Sequence, residues 1–297
     1  VFEVHNSVND GAGRAENGND GAPLPYPYAG PTTCCGFFQP SQNLVNAYKT
    51  GANGLPLLTT FNDSDVASDQ GIEANQPFTA YSGPLDPRLD WTVGRRGIPF
   101  LDWGPMPGKS WIRDQGNGGP YVSKKHLFYR SDVGSNTFAL NPRLNANNAR
   151  LIRYAHVLLM LAECEIELGN LELVNQIRQR AANPDGFVKN ADGTNAANYV
   201  IATYATAWPD PATARLALQF ETRLELALEG HRFFDLVRWG VADQVLNAYM
   251  QRETRLRAYF TGAAFVKNKH EYYPIPLLEI TNSALGGKPV LRQNPGY

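Results

Sequence analysis

The chain has 297 residues, 43% hydrophobic and 19% charged, with 27 basic and 28 acidic side chains and a net charge of −1. That balance suits a water-soluble globular protein long enough to bury a sizeable core, and the absence of like-charge runs excludes a nucleic-acid or anionic-membrane footprint. The longest apolar stretch, residues 157–162, falls far short of the ~20 residues of a membrane-spanning helix.

The first element is Val1-Phe2-Glu3-Val4, which alternates like a strand, with no initiator Met and no targeting segment before it. We therefore expect a processed or truncated chain, with an N-terminal half and any lipid-attachment site outside it. Residues 8–57 form a long irregular region with turn-forming pairs at Asp10-Gly11, Asn17-Gly18 and Asp20-Gly21. Its aromatics Tyr26, Tyr28, Phe37 and Phe38 favour an ordered loop, and Phe37 and Phe38, lacking a polar handle, are expected inside. Cys34 and Cys35 either close an eight-membered ring or stay as two thiols. Three cysteines make neither a disulfide framework nor a zinc site, and Cys164 reads as a small buried hydrophobe on a helix. Asn62-Asp63-Ser64-Asp65 and Asp69 offer oxygen ligands but lack the Gly and terminal Glu of a calcium loop. A solvated turn is expected there, with a structural calcium as the alternative and no other cofactor.

Prolines and glycines break up residues 86–130 into loops and short strands, and residues 121–129 read as a strand. The pattern changes near Asn148. Apolar residues at helical spacing predict a helix over residues 149–168 with Gly169 after its end, and a second over 171–182 with Leu173, Val174, Ile177 and Ala181 facing inward. Joined at Leu168-Gly169-Asn170, the two form a tetratricopeptide-like hairpin, which cannot bury its apolar face alone. Asp210-Pro211 marks the start of a helix reaching Glu229 and stopping at Gly230, with Phe220, Leu224, Ala227 and Leu228 as its buried stripe. Shorter helices are predicted over 233–239 and 241–252. The proline-rich tail, residues 272–297, should run extended over the surface. The organisation expected is a loop- and hairpin-rich ligand-binding part, 1–147, followed by a helical scaffold and wrapped tail, 148–297.

No Gly-x-Ser-x-Gly elbow, His-Glu-x-x-His, phosphate loop or dinucleotide fingerprint occurs, and His5, His126, His156, His231 and His270 are scattered with no ligand spacing. Acidic residues are numerous enough for chance carboxylate pairs, so their number alone does not argue for a glycosidase. No catalytic residues are expected.

The most specific segment contains Glu221, Arg223, Glu225-Leu226-Ala227-Leu228-Glu229-Gly230, Arg232, Asp235-Leu236 and Arg238-Trp239-Gly240. Upstream come Asp86-Pro87-Arg88-Leu89, Arg153-Tyr154-Ala155-His156-Val157-Leu158-Leu159-Met160-Leu161-Ala162-Glu163 and Gln176-Ile177-Arg178-Gln179-Arg180-Ala181; downstream come Tyr273-Pro274-Ile275-Pro276 and Gln293-Asn294-Pro295-Gly296-Tyr297. In order and spacing this resembles the C-terminal half of the SusD/RagB family over essentially the whole chain. Thr222 stands where that family usually has Arg and His156 where it often has Glu, a departure that bears on a local charge pair. The charged signature residues have the helical spacing of ion pairs that cross-link neighbouring helices, and Trp239 reads as a plug at a helix end.

The resemblance implies a mainly α fold, an α-α superhelix of tetratricopeptide-like helix pairs decorated by long loops and short β-hairpins. It implies a non-catalytic outer-membrane lipoprotein, exposed on the surface of a Gram-negative cell. Such a protein captures oligosaccharides, or in some members peptides, and lies as a lid on a SusC-like TonB-dependent transporter. A tetratricopeptide-like protein–protein adaptor is the alternative. Sugars need flat aromatics beside polar partners, because a ring's CH face stacks while its hydroxyls need hydrogen bonds. Loops 20–40 and 91–121 supply both, through Tyr26, Tyr28, Trp103 and Trp111 with Arg113 and Asp114. Each aromatic could equally pin its loop to the body. On the binding reading, replacing Trp103 and Trp111 by Ala abolishes ligand retention with little change in melting temperature.

Overall fold

The carboxylate of Asp210 accepts the N–H of Thr213 at 2.8 Å and Pro211 takes the first helical position, so α6 (Pro211–Glu225) begins where the sequence marks it. A computed structural model describes all residues except 13–15, 32, 139 and 167–169. It divides into two compact units, Val1–Glu229 and Gly230–Tyr297.

In the first unit, α6 packs against α4 (Tyr154–Glu165), which in turn packs on α5 (Glu172–Ala181). Leu159, Ala162, Val174, Ile177, Ala214 and Leu218 form the cluster between these helices. The α4/α5 pair is the expected hairpin; Gly169 and the Leu168-Gly169 part of its joint lie outside the described residues. The other face of α4 exposes Tyr154, Met160 and Leu161. Regular structure is mainly helical, with α1 (Gln42–Ala47), α2 (Leu89–Thr92) and α3 (Gln115–Gly118) as single turns within the long loops.

Among the described residues, three two-stranded antiparallel ladders complete the unit: β1 (Phe2–Val4) with β6 (Ala149–Ile152), β2 (Val93–Gly94) with β3 (Val122–Ser123), and β4 (Thr137–Phe138) with β5 (Asn141–Asn145). Several expectations change here. Residues 149–152 leave the predicted helix because β1 offers them ladder hydrogen bonds, and the helix starts only at Tyr154. The strand expected over 121–129 is limited to β3. Cys164 faces outward on α4 and is exposed.

A second cluster contains Val45, Tyr48, Leu85, Leu89, Val93, Tyr121, Phe220 and Leu224; it locks α1 and α2 against α6. A third, around Tyr26, Phe100, Met106, Val122 and Phe128, lies beneath the aromatic loops. Leu226 caps the end of α6, and Leu228 adopts a positive φ of 63° before Gly230. The predicted helix to Glu229 therefore ends four residues early.

The second unit has α7 (Arg232–Arg238), α8 (Ala242–Glu253) and α9 (Leu277–Asn282). Asn247 both donates to and accepts from Phe265 backbone (3.0 and 2.8 Å), tying the chain after α8 to that helix. Gln293 does the same to Ile275 (2.9 and 2.7 Å) and closes the tail into a loop. The tail is exposed as expected, but α9 interrupts its extended course. Trp239 ends α7 half-buried, with the Arg238 guanidinium 5.4 Å from its ring. No helix among the described residues is long and apolar enough to cross a membrane.

Candidate functional site

Asp86 folds the Asp86-Pro87-Arg88-Leu89 segment onto itself. Its Oδ1 accepts the backbone N–H and Nε of Arg88 (both 3.0 Å) and its Oδ2 accepts Nη2 (2.7 Å). The Arg88 guanidinium is thereby aimed at α6, where Nη1 reaches Glu221 at 2.5 Å and Glu225 at 3.2 Å. Burial works against this charge, but Asp86, Glu221 and Glu225 outweigh it and hold Arg88 above its ordinary pKa. Arg178 closes the other side of Glu221 at 2.9 Å, and both side chains are fully buried.

Glu225 is shared by three arginines: Arg88, Arg153 at 3.0 Å and Arg180 at 2.7 Å. Burial alone would raise its carboxyl, yet Arg88, Arg180 and Arg153 bring it down to about 2. Glu229 accepts from Arg153 at 2.7 Å and Lys125 at 2.5 Å, and its pKa is lowered too, because these partners overcome its burial. The expected cross-linking of helices by Glu221 and Glu225 is thus present. Arg223 also donates to the Asn43 carbonyl at 3.1 Å and lies over Phe61. Asp235 and Arg238 pair within a single helix.

Above this network is an open groove of about 730 Å³. Leu89 and Asp90 point into the core from α2, which turns Trp91 outward to one wall, 40% exposed. Its Nε1 donates to the Gly186 carbonyl at 2.7 Å, so the ring is held in place. The facing segment, residues 124–129, ends in Tyr129, 42% exposed, whose backbone N–H donates to Asp132 at 3.0 Å. Arg150 of β6 stands on the lining, exposed. Lys124 sits below, donating to the carbonyls of Asp90 and Pro99 (2.5 and 2.6 Å), with its ammonium 5.6 Å from the Trp91 ring. Burial brings Lys124 down to about 8 despite the nearby Asp90 carboxylate.

The residues expected to touch ligand are distributed differently. Tyr26 is 1% exposed; its hydroxyl donates to the His126 carbonyl at 3.1 Å and accepts from Asn145 at 2.6 Å. Trp103 donates to the Phe128 carbonyl at 3.1 Å and packs edge-to-face on that ring. Trp111 packs edge-to-face on Phe100, and Gly30 lies so close beneath it that a Cβ there would meet the indole at 2.3 Å. These three pin the loops to the third cluster. Tyr28 remains 48% exposed beside Arg113, whose guanidinium lies 4.4 Å from the Phe37 ring and donates to the Cys35 carbonyl at 2.7 Å. Asp114 is exposed and caps α3.

Phe37 and Phe38, expected inside, are 45% and 67% exposed, because Arg113 rather than the core covers the face of Phe37. Cys34 and Cys35 are joined by a disulfide. The Asn62–Asp65 segment is tied inward, Asn62 and Asp65 accepting from Asn46 at 3.1 and 2.6 Å. No group of three or more His, Cys, Asp or Glu side chains suited to a metal occurs among the described residues.

Trp91, Tyr129 and Arg150 were not singled out by sequence. Trp91 had a signal, being the residue that follows a buried Leu-Asp pair in a proline-initiated turn.

The model of the SusD family matches residues 1–297. The chain belongs to the SusD family. A SusD-like protein of Formosa agariphila is 31% identical over 170 residues, 54% of this chain and 26% of that relative. The chain thus spans about a quarter of the length of that curated SusD relative. Two solved SusD-type structures have the same fold: a SusD-like protein of Bacteroides fragilis (TM-score 0.50, 22% identity, 87% of this chain and 47% of that one) and a SusD homolog of Bacteroides thetaiotaomicron (TM-score 0.50, 20% identity, 71% and 41%). The buried Arg–Glu network is built from Arg88, Arg153, Arg178, Arg180, Glu221 and Glu225. The groove lies on top of that network.

Proposed function

We propose that the protein is a non-catalytic nutrient-binding protein of the cell surface that captures oligosaccharides for import through a SusC-like TonB-dependent transporter, anchored to the outer membrane by a lipidated segment. The observation that carries this reading is the pair of exposed aromatics, Trp91 and Tyr129, lining one open groove, with the Trp91 ring held by its bond to the Gly186 carbonyl. Aromatic faces give large contact area at little entropic cost, and sugar CH faces match them. Tyr28 beside Arg113 offers a second, smaller platform of the same chemistry. Family membership supports capture, and the absence of catalytic sequence motifs agrees with a binding role.

The test is isothermal titration against a polysaccharide panel, with chromatography of the recovered sugar to detect cleavage. Trp91→Ala or Tyr129→Ala should each weaken binding about tenfold, the loss of one stacking contact of ~1.4 kcal/mol, without lowering the melting temperature by more than a few degrees. Shortened sugars in the recovered sample, or full affinity in both variants, would refute this reading.

A further inference from the structure

The charges around the groove do not balance. Its lining carries Arg88, Lys124, Lys125, Arg150, Arg153 and Arg180 against only Asp132, Glu225 and Glu229. The three acids are already engaged. Glu225 is held by Arg88, Arg153 and Arg180, Glu229 by Arg153 and Lys125, and Asp132 accepts the Tyr129 N–H. Four of the cations are spent on those acids. The Lys124 ammonium is spent on two carbonyls.

Arg150 is different. Its guanidinium makes no hydrogen bond or ion pair among the described residues, although it is exposed on the groove lining. The residue opposite it across the β1–β6 ladder is Glu3, which would be its natural partner. The Glu3 carboxylate instead accepts from Asn148 at 2.8 Å and lies 3.7 Å from His5. Asn148 itself lines the groove, so its amide turns Glu3 aside from the arginine.

We infer that the groove takes an acidic oligosaccharide, with the planar guanidinium of Arg150 meeting a carboxylate or sulfate of a sugar whose ring stacks on Trp91 or Tyr129. This rests on the capture reading above and narrows it to a ligand class. A fork of N–H donors matches either anion in a two-point contact, and an excess of positive charge in a concave site concentrates anionic ligands. Of the three acids lining the groove, only Asp132 is met by no cation among the described residues, and its carboxylate is tied to the Tyr129 N–H.

The experiment compares two matched pairs by titration calorimetry on the full chain. One pair is an oligogalacturonide and its methyl ester; the other is a sulfated galactan oligosaccharide and its desulfated form. The expected result is that the acidic member of at least one pair binds about tenfold or more tighter, the range of one charge-assisted contact, and that added salt erodes the difference. Preference in the first pair assigns a carboxylate and in the second a sulfate. Arg150→Gln should bring the acidic ligand down to the level of its neutral counterpart, and Arg150→Lys should restore part of the gap. Equal binding of acidic and neutral members overturns this inference but leaves oligosaccharide capture standing. A preference that survives Arg150→Gln removes Arg150 from the role. Failure of the chain to bind any polysaccharide, neutral members included, overturns both readings.

Discussion

Replacing Glu221 by Gln keeps the shape of the side chain and removes one charge from the centre of the first unit. Glu221 is fully buried and bridges Arg88 (2.5 Å) and Arg178 (2.9 Å). After the substitution Arg88 still has Asp86 and Glu225, but Arg178 keeps the carbonyls of Ala202 (2.6 Å) and Gly54 (2.9 Å) and the Tyr204 ring, and no carboxylate. A guanidinium with no exposed side-chain surface is then left without a carboxylate. Breaking a buried pair in this way costs about 3–5 kcal/mol, because the remaining charge has lost both water and its counter-charge. For a unit the size of Val1–Glu229, that is a fall in melting temperature of roughly 6–20 °C. Arg180→Ala is the control. Its side chain is 57% exposed and Glu225 retains Arg88 and Arg153, so solvent screening limits the loss to about 1 kcal/mol. Urea denaturation followed by circular dichroism reads both. If Glu221→Gln costs no more than Arg180→Ala, the buried network is not what holds α2 and α5 to α6.

The network also predicts acid sensitivity. Glu225 is held at about 2 against an ordinary value of 4.5, so the unfolded state binds the proton first and stability falls as pH drops from 4.5 toward 2. Of the ~3 kcal/mol at stake, about 2 should be gone at pH 3, and urea midpoints measured from pH 6 to 3 check this; a flat profile would contradict it. A further prediction concerns Trp103 and Trp111, both half-buried and each packed on a core ring. Their double Ala variant should lose several kcal/mol of stability, since Trp→Ala in a core costs about 3–5 and these sites are partly open. An unchanged melting temperature would instead mark them as free ligand platforms.

Helix starts and charged spacings were legible in the sequence because they are short-range. The Asp210 cap acts over three residues, α5 shows its buried stripe in its own periodicity, and the Glu-Arg pattern of α6 announces charges that need partners. Side-chain destinations were not legible. Leu151 and Ile152 fit a helix in spacing, and only pairing with β1, nearly the whole first half of the chain away, makes them a strand. Phe37 and Phe38 have the chemistry of core residues, yet an arginine from another loop covers one of them at the surface. Cys164 belongs to a helical pattern that is apolar on more than one side, so its direction depends on which face α6 occupies.

By itself, the sequence determined most of the helices and marked charges on them that need partners. Those follow from hydrogen bonds and periodicities spanning a turn or two. Tertiary structure alone decided which side chains share a surface, bringing Trp91, Tyr129 and Arg150 from three separate segments to one groove while turning Tyr26 inside. The physical reason is that a concave surface is defined by contacts such as Arg88 to Glu221, 133 residues apart, and no local pattern records which partner a distant loop will find.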